Sequence, residues 1–378
     1  MVNINKPPKL LDLVRDAMRR KHYSYKTEKS YTNWIIRYIK FHGKKHPNTL
    51  GSEHVSQFLT SLAVQGKVSA STQNQALNAI IFLYKQVLGI KLSEVNALRA
   101  RTSTHIPVVL SANEVTMVLS SMKGIPWLMA SLLYGTGMRL AELLRIRVKD
   151  IDFANYRIIV REGKGNKDRV VPFPQQLREV LNRHLLKVKT LHETDLKLGY
   201  GSVYLPHALD RKYPCADREW KWQYVFPSKD ITSDPRTGIK RRHHIYESTL
   251  QTHVKKAFEV AGLDKRATCH SFRHCFATHM LQNDYDIRTV QDLLGHKNIK
   301  TTMIYTHVAQ RGAHGTKSPF DDLRMMDNYS QTKSSPVDGE QPAPAVSKVE
   351  IMSGKKFSLR SFFNFYKRYD FKLAFFRS

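Results

Sequence analysis

Apolar residues recur at helical spacing through the first hundred positions, and that rhythm limits the N-terminal part of the chain to a helical architecture. Leu10, Leu11, Val14 and Met18 fall on one face of a helix, and Tyr31, Trp34, Ile35, Tyr38 and Ile39 on one face of another. The runs 52–64 and 72–88 supply two more helices. His46-Pro47-Asn48 and Gly66 break the pattern between them. A small helical bundle over residues 1–98 is predicted. Basic and aromatic side chains interleave along it at Tyr23, Lys26, Lys29, Tyr31, Arg37, Lys40, Lys44 and Lys45, which favours a DNA-facing surface over a plain interaction module.

Residues 99–107 (RARTSTHIP) are short, polar and basic, and read as a linker closed by Pro107. A second domain is predicted over 108–323. Ser111 with Glu114 forms a capping box, which starts a helix at 112–122, followed by another at 126–135. Strands at 157–161 and 169–173 flank Gly163-Lys164-Gly165-Asn166 as a hairpin. Further helices are predicted near 177–191, 250–261, 271–283, 287–294 and 301–308. The fold class is therefore mainly α with a small β-sheet (α+β), in two domains. An insertion at about 190–246 is rich in Tyr, Trp, His, Lys and Arg, and its length inside a compact domain predicts a functional or partly mobile segment. The tail, 324–378, changes character. Residues 327–350 are weakly hydrophobic and rich in Ser, Pro, Gln and Gly, so disorder is expected. The aromatic, basic end reads either as an amphipathic helix for DNA, membrane or another subunit, or as an extension with no role.

Charge narrows the partner. The 378 residues carry 61 Lys and Arg against 32 Asp and Glu, a net charge of +29, which points to a polyanion and first to nucleic acid. The cysteines, Cys215, Cys269 and Cys275, are too few for a disulfide framework or a Cys-based zinc site, and fit a reducing cytosol. The N-terminal MVNINKPPKL lacks a signal-peptide pattern, and no apolar run approaches the ~20 residues of a membrane span. A cytoplasmic protein without a membrane partner is expected.

Four separated segments carry candidate chemistry. In Gly135-Thr-Gly-Met-Arg139-Leu-Ala-Glu142, the glycines end one helix and place Arg139 at the start of the next, where it can fork onto a phosphate. Glu142 lies three residues on and can steady it. Lys164 sits at the tip of the predicted hairpin and could protonate a leaving oxygen. In His270-Ser-Phe-Arg273-His274, the helical spacing points His270 and Arg273 the same way, and His274 reads as a structural histidine. His270 and His274 have metal-compatible spacing, but no accompanying glutamate or cysteine completes a site, so no metal is expected. Gly295-His296 precedes Tyr305. A tyrosine hydroxyl is a weak nucleophile that nearby cations and a phosphate could activate. Each signal alone is modest. In this order, two arginines, a lysine and two histidines with no carboxylate cluster describe a metal-free cradle for a phosphate transition state.

These residues resemble the tyrosine recombinase family and, more narrowly, the integron integrases. The resemblance covers about residues 8–323 and rests on LLYGTGMRLAELLRIRVKDIDF, IIVREGKGNKDR, RRHH, CHSFRHCFATHML and DIRTVQDLLGHKNIKTTMIYTHV. It implies a two-domain clamp around DNA, with a SAM-like core-binding domain ahead of the catalytic domain. It implies that Arg139 and Arg273 bind the scissile phosphate and that Lys164 is the general acid. His270 and His296 would complete the cradle, with Glu142 in support. Tyr305 would attack to leave a 3′-phosphotyrosine, with no cofactor, ATP or metal. The integron subgroup further implies folded single-stranded sites recognised through extrahelical bases, with Trp222, Pro235, His243 and His244 in the recognition region. Stacking a splayed base on an aromatic ring contributes ~1–3 kcal/mol. The alternative is that Trp220, Trp222 and Tyr224 pack the insertion onto the domain. The implied partners are duplex and folded single-stranded DNA and, in the synaptic complex, a homotetramer built from free monomers, associated with a bacterial nucleoid. The tail after Leu323 departs from the family pattern. A phage-type or chromosome-resolution recombinase would share the chemistry. A non-catalytic DNA-binding protein would not need Tyr305, and a metal-dependent nuclease would need a divalent ion.

Overall fold

The computed structural model describes residues 9–92, 99–100, 107–161, 168–206, 209–235, 237–265 and 267–306. Four helices open the chain: α1 (Leu10–Arg20), α2 (Tyr25–Phe41), α3 (Ser52–Val64) and α4 (Ala70–Phe82). Ser24 and Ser69 cap α2 and α4 by accepting from the N–H three residues on. The predicted single helix at 72–88 divides: α4 widens into a π-helical turn, Leu83–Leu88, closed by Gly89 in the left-handed region. The helical stripes meet in two apolar clusters, one around Ile35, Met18 and Leu83, the other around Tyr38, Phe58, Leu77 and Tyr84. Inside the second, the hydroxyls of Tyr38 and Tyr84 are 2.9 Å apart, and Tyr84 also donates towards the Pro47 and Leu50 carbonyls.

The second half is built on α5 (Ala112–Ser120), α6 (Gly124–Thr136), α7 (Leu140–Arg145), α8 (Arg178–Lys197), α10 (Glu247–Val260), α11 (Cys269–Gln282) and α12 (Ile287–Leu294), with the short α9 (Leu209–Lys212) and α13 (Lys300–Met303). α6 is apolar on nearly every side because it runs through the core, packed against α11 and α10. A three-stranded antiparallel sheet, β1 (Ile151–Asp152), β2 (Arg157–Val160) and β3 (Arg169–Pro172), lies beside it, with Ile158 paired to Val171. The connection between β2 and β3, which carries Lys164, lies outside the described residues, as does the tail from residue 307 onward.

The insertion has more regular structure than its composition suggested. α8 continues to Lys197, beyond the predicted end at 191. A hairpin of β4 (Pro227–Ser233) and β5 (Lys240–His244) follows. Asp195 near the end of α8 grips Arg242 of β5 through Oδ2 to Nε at 2.5 Å and Oδ1 to Nη2 at 2.7 Å, both side chains largely buried. Arg147 ties the insertion to the core by donating to the Trp222 carbonyl at 2.6 Å and the Tyr204 carbonyl at 2.7 Å. No helix among the described residues is long and apolar enough to cross a membrane.

Candidate active site

Helix ends build the site. α6 stops at Gly137, whose φ of +63° is open to glycine and strained for other residues. A Cβ there would also stand 2.3 Å from the Phe276 ring. This sharp stop sets Arg139 as the N-cap of α7. Its backbone N–H donates to Glu142 Oε2 at 2.8 Å, and its Nη1 donates to Oε1 at 2.7 Å. α12 likewise ends at Gly295 with φ +63°, which turns the chain to His296.

α11 contributes Arg273, the most buried charge in this region at 1% exposure. Its Nη1 donates to the Gly137 carbonyl and its Nη2 to the Leu294 carbonyl, both at 2.6 Å, and Nη2 lies 3.0 Å from His296 Nε2. None of these partners carries a formal negative charge. Among the described residues this buried cation is hydrogen-bonded by dipoles, with the Glu142 charge acting on it from a distance, which leaves room for an anion. Burial, then the positive Arg139, pulls the guanidinium down to about 9.

Arg169 of β3 is a member that the motif reading missed. Its Nη1 and Nη2 grip the two Glu142 oxygens at 3.0 and 2.6 Å, and its Nε donates to the Leu293 carbonyl at 2.8 Å. Glu142 thus bridges Arg139 and Arg169. Burial alone would raise its carboxyl, but the hydrogen bonds and charges of Arg169 and Arg139 prevail and hold it at about 2. Three arginines against one carboxylate leave the cradle positive. The only sequence signal for Arg169 was its position just after the Lys-Gly-Asn-Lys-Asp run.

His296 Nδ1 is 2.9 Å from the Thr302 hydroxyl, which fixes the ring with its other nitrogen towards Arg273. His270, beside the helix cap Thr268, opens on a groove of about 820 Å³ lined also by Lys26, Leu140, Glu247, Lys255 and Thr268. Burial and the charges of Arg273 and Arg139 lower its pKa. Tyr305 lies just past α13, and residues 307–308 of the helix predicted over 301–308 lie outside the described residues; Tyr305 is 2% exposed against Phe276, Ala277, Val290 and Leu294. Its hydroxyl is 2.8 Å from His274 Nδ1, and its ring stacks 6.3 Å from that of His296. Burial raises its pKa, with Arg273 and Arg139 acting the other way. His274, expected to be structural only, therefore touches the candidate nucleophile.

Arg139, Glu142, His270, Arg273, His296 and Tyr305 thus converge, whereas Lys164 lies outside the described residues. The four insertion residues lie on and beside the hairpin. Pro235 is exposed at its turn. His243 and His244 are half-buried with rings 4.0 Å apart, and burial, then His244, pulls His243 down to about 4. Trp222 is 8% exposed in a cluster with Val203, Leu205, Ala216 and Tyr224, and Lys149 Nζ sits 3.0 Å from its ring centre. In this chain its ring packs the insertion, with Lys149 over one face.

Residues 109–311 match the Phage integrase family, and residues 10–94 the N-terminal SAM-like domain of phage integrases. An "Integrase/recombinase" of Escherichia coli is 48% identical over 316 residues, covering 83% of this chain and 94% of the relative. Tyrosine recombinase XerA of Thermococcus onnurineus is 32% identical over 75% of this chain and 84% of its own. The fold superposes on XerH site-specific recombinase bound to palindromic difH substrate, at TM-score 0.52 and 20% identity over 87% and 86% of the two chains. It also superposes on a lambda integrase tetramer bound to a Holliday junction, at TM-score 0.51 and 17% identity over 82% and 78%. At these identities the structural likeness is one of fold, the mainly helical clamp with small sheets.

Proposed function

The chain belongs to the phage integrase family of tyrosine recombinases, enzymes that cut and rejoin DNA, and on that premise we propose that it is an integron integrase that moves gene cassettes through a 3′-phosphotyrosine on Tyr305. The observation that carries the site assignment is Arg273, a buried cation that among the described residues donates to two carbonyls and meets an imidazole, beside Arg139 and Tyr305. A scissile phosphate supplies the missing negative charge. Arg139 and Arg273 hold its non-bridging oxygens, and His270 and His296 complete the cradle. Preorganised donors of this kind stabilise the charge that develops in the transition state. The Tyr305 oxygen attacks phosphorus, the bond to the 5′ oxygen breaks, and Lys164 protonates that oxygen. The phosphotyrosine keeps the bond energy, so rejoining needs neither ATP nor a metal. Two sites and four subunits complete an exchange in the bacterial nucleoid.

The cassette reading draws on the insertion. Its Arg242–Asp195 grip and Arg147 ties give a rigid mount to a hairpin whose tip carries Pro235. Pro235 makes the first contact with a folded single-stranded site, and His243 and His244 flank it. Trp222 is the platform beneath, reached by an extrahelical base once Lys149 leaves the ring.

The test is adduct formation on a suicide duplex in EDTA. Wild type forms a covalent protein–DNA species and Tyr305→Phe forms none. A missing wild-type adduct, or one that persists in Tyr305→Phe, overturns the assignment. Trp222→Ala is expected to impair folded single-stranded sites at least tenfold more than duplex sites, in line with about 1–3 kcal/mol per stacked base. Equal losses on both would refute the cassette reading while leaving the chemistry intact.

A further inference from the structure

His274 is absent from the cradle described above, yet it is the side chain that touches the Tyr305 hydroxyl. It lies four residues after His270 on α11, so the helix turns it towards the same edge as His270, the two rings 4.6 Å apart. We propose that His274 positions the Tyr305 hydroxyl and accepts its proton through Nδ1 as the phenolic oxygen attacks phosphorus. This inference rests on Tyr305 being the nucleophile.

Three observations support it. The contact is 2.8 Å between Nδ1 and Oη, within hydrogen-bond range. Among the described residues, the rest of the phenol ring meets apolar Phe276, Ala277, Val290 and Leu294, which cannot take a proton, and the His296 ring, whose two nitrogens are engaged by Thr302 and Arg273. Burial, followed by the charges of His270 and Arg273, pulls His274 down to about 4, so it is a neutral imidazole at neutral pH, free to accept. The groups facing it are His270 and Arg273 from its own helix and Tyr305 from beyond α13. An arriving phosphate adds negative charge there and raises the basicity of the imidazole when the proton must move.

The step balances. The Oη–P bond forms and the P–O5′ bond breaks. The phenolic proton passes to His274 Nδ1, and a separate acid protonates the 5′ oxygen. On rejoining, the 5′ hydroxyl attacks phosphorus and gives its proton back to the conjugate base of that acid, the Oη–P bond breaks, and the His274 imidazolium returns its proton to Oη.

The experiment compares single-turnover adduct formation on two suicide duplexes, one ordinary and one with a 5′-bridging sulfur that leaves without an acid. His274→Ala is expected to slow both about 100-fold or more, the range for a lost general base. Its rate should climb with pH through the alkaline range where wild type has levelled off. His274→Asn keeps an acceptor oxygen near the Nδ1 position, so it should bind DNA normally, react faster than His274→Ala and still show the steeper pH profile. If the alanine variant fails to bind DNA, the asparagine variant decides. A rate within threefold of wild type with an unchanged pH profile overturns the proposal. So does a defect confined to the oxygen-bridged duplex, which would place His274 on the leaving-group side. Tyr305→Phe runs alongside: if it still forms adduct, the nucleophile assignment fails and His274 with it. If it is dead while both His274 variants match wild type, only this proposal fails.

Discussion

Glu142 receives four hydrogen bonds, two from Arg139 and two from Arg169. Its carboxyl is held at about 2 against an ordinary 4.5, so the unfolded chain takes up the proton first. The stability it contributes is complete above about pH 4.5 and is lost as pH falls towards 2, amounting to on the order of 3 kcal/mol. Glu142→Gln should therefore flatten the acid limb of a urea-midpoint-against-pH curve. An unchanged limb would show that the two arginines are held by something else. Arg139 and Glu142 were legible because a glycine-stopped helix followed by Arg and Glu three apart is a local pattern. Arg169 was not, because its partner lies 27 positions earlier and only β3 beside α7 brings them together. The contact of His274 with Tyr305 was illegible for a similar reason, since it spans 31 positions. Trp222 shows the converse: the sequence offered both stacking and packing, and Lys149 over the ring, its own ammonium drawn down to about 8 by burial, is a contact no local pattern announces.

The ends of α6 and α12 matter more to the site than their lengths. Both finish at a left-handed glycine, but the two kinds of constraint differ along the chain. Gly137→Ala meets a disfavoured φ and the Phe276 ring at 2.3 Å, for a combined cost of roughly 2 to 5 kcal/mol. Gly89→Ala has the same sign of φ but open space around it, and should cost only about 1–2 kcal/mol. Denaturant midpoints of the two variants check this, and equal losses would mean that the ring yields. Adduct formation should drop in Gly137→Ala alone, since its carbonyl receives Arg273. Helices were readable wherever apolar spacing and caps coincided, as at α5 and α12. The β4–β5 hairpin was not, because its residues are mostly polar or half-buried and lack the alternation that marks a strand.

At the scale of the whole molecule, Lys26 of the N-terminal bundle meets Glu247 of the catalytic half at the mouth of the groove, Nζ to Oε2 at 3.0 Å. Exposed pairs of this kind add under about 1 kcal/mol to stability. On the proposed reading DNA enters this groove and competes for Lys26, so Glu247→Gln should speed association with a labelled duplex at low salt and lose that advantage as salt rises. A lowered melting temperature with no change in association rate would assign the pair to architecture. Charge was the most legible whole-chain property, and +29 foretold the polyanion before any fold was known. How the two halves meet was not legible, because Lys26 and Glu247 are 221 positions apart and each looks like an ordinary surface residue. Arg273, finally, is moored by the carbonyls of Gly137 and Leu294, atoms that every amino acid supplies alike. Substitution at position 294 can change the side chain without removing that mooring. Gly137 is held by its own φ and the Phe276 ring, so the tolerance is confined to 294, whereas every bond of the Glu142 clamp is accepted by one carboxylate and is lost with it.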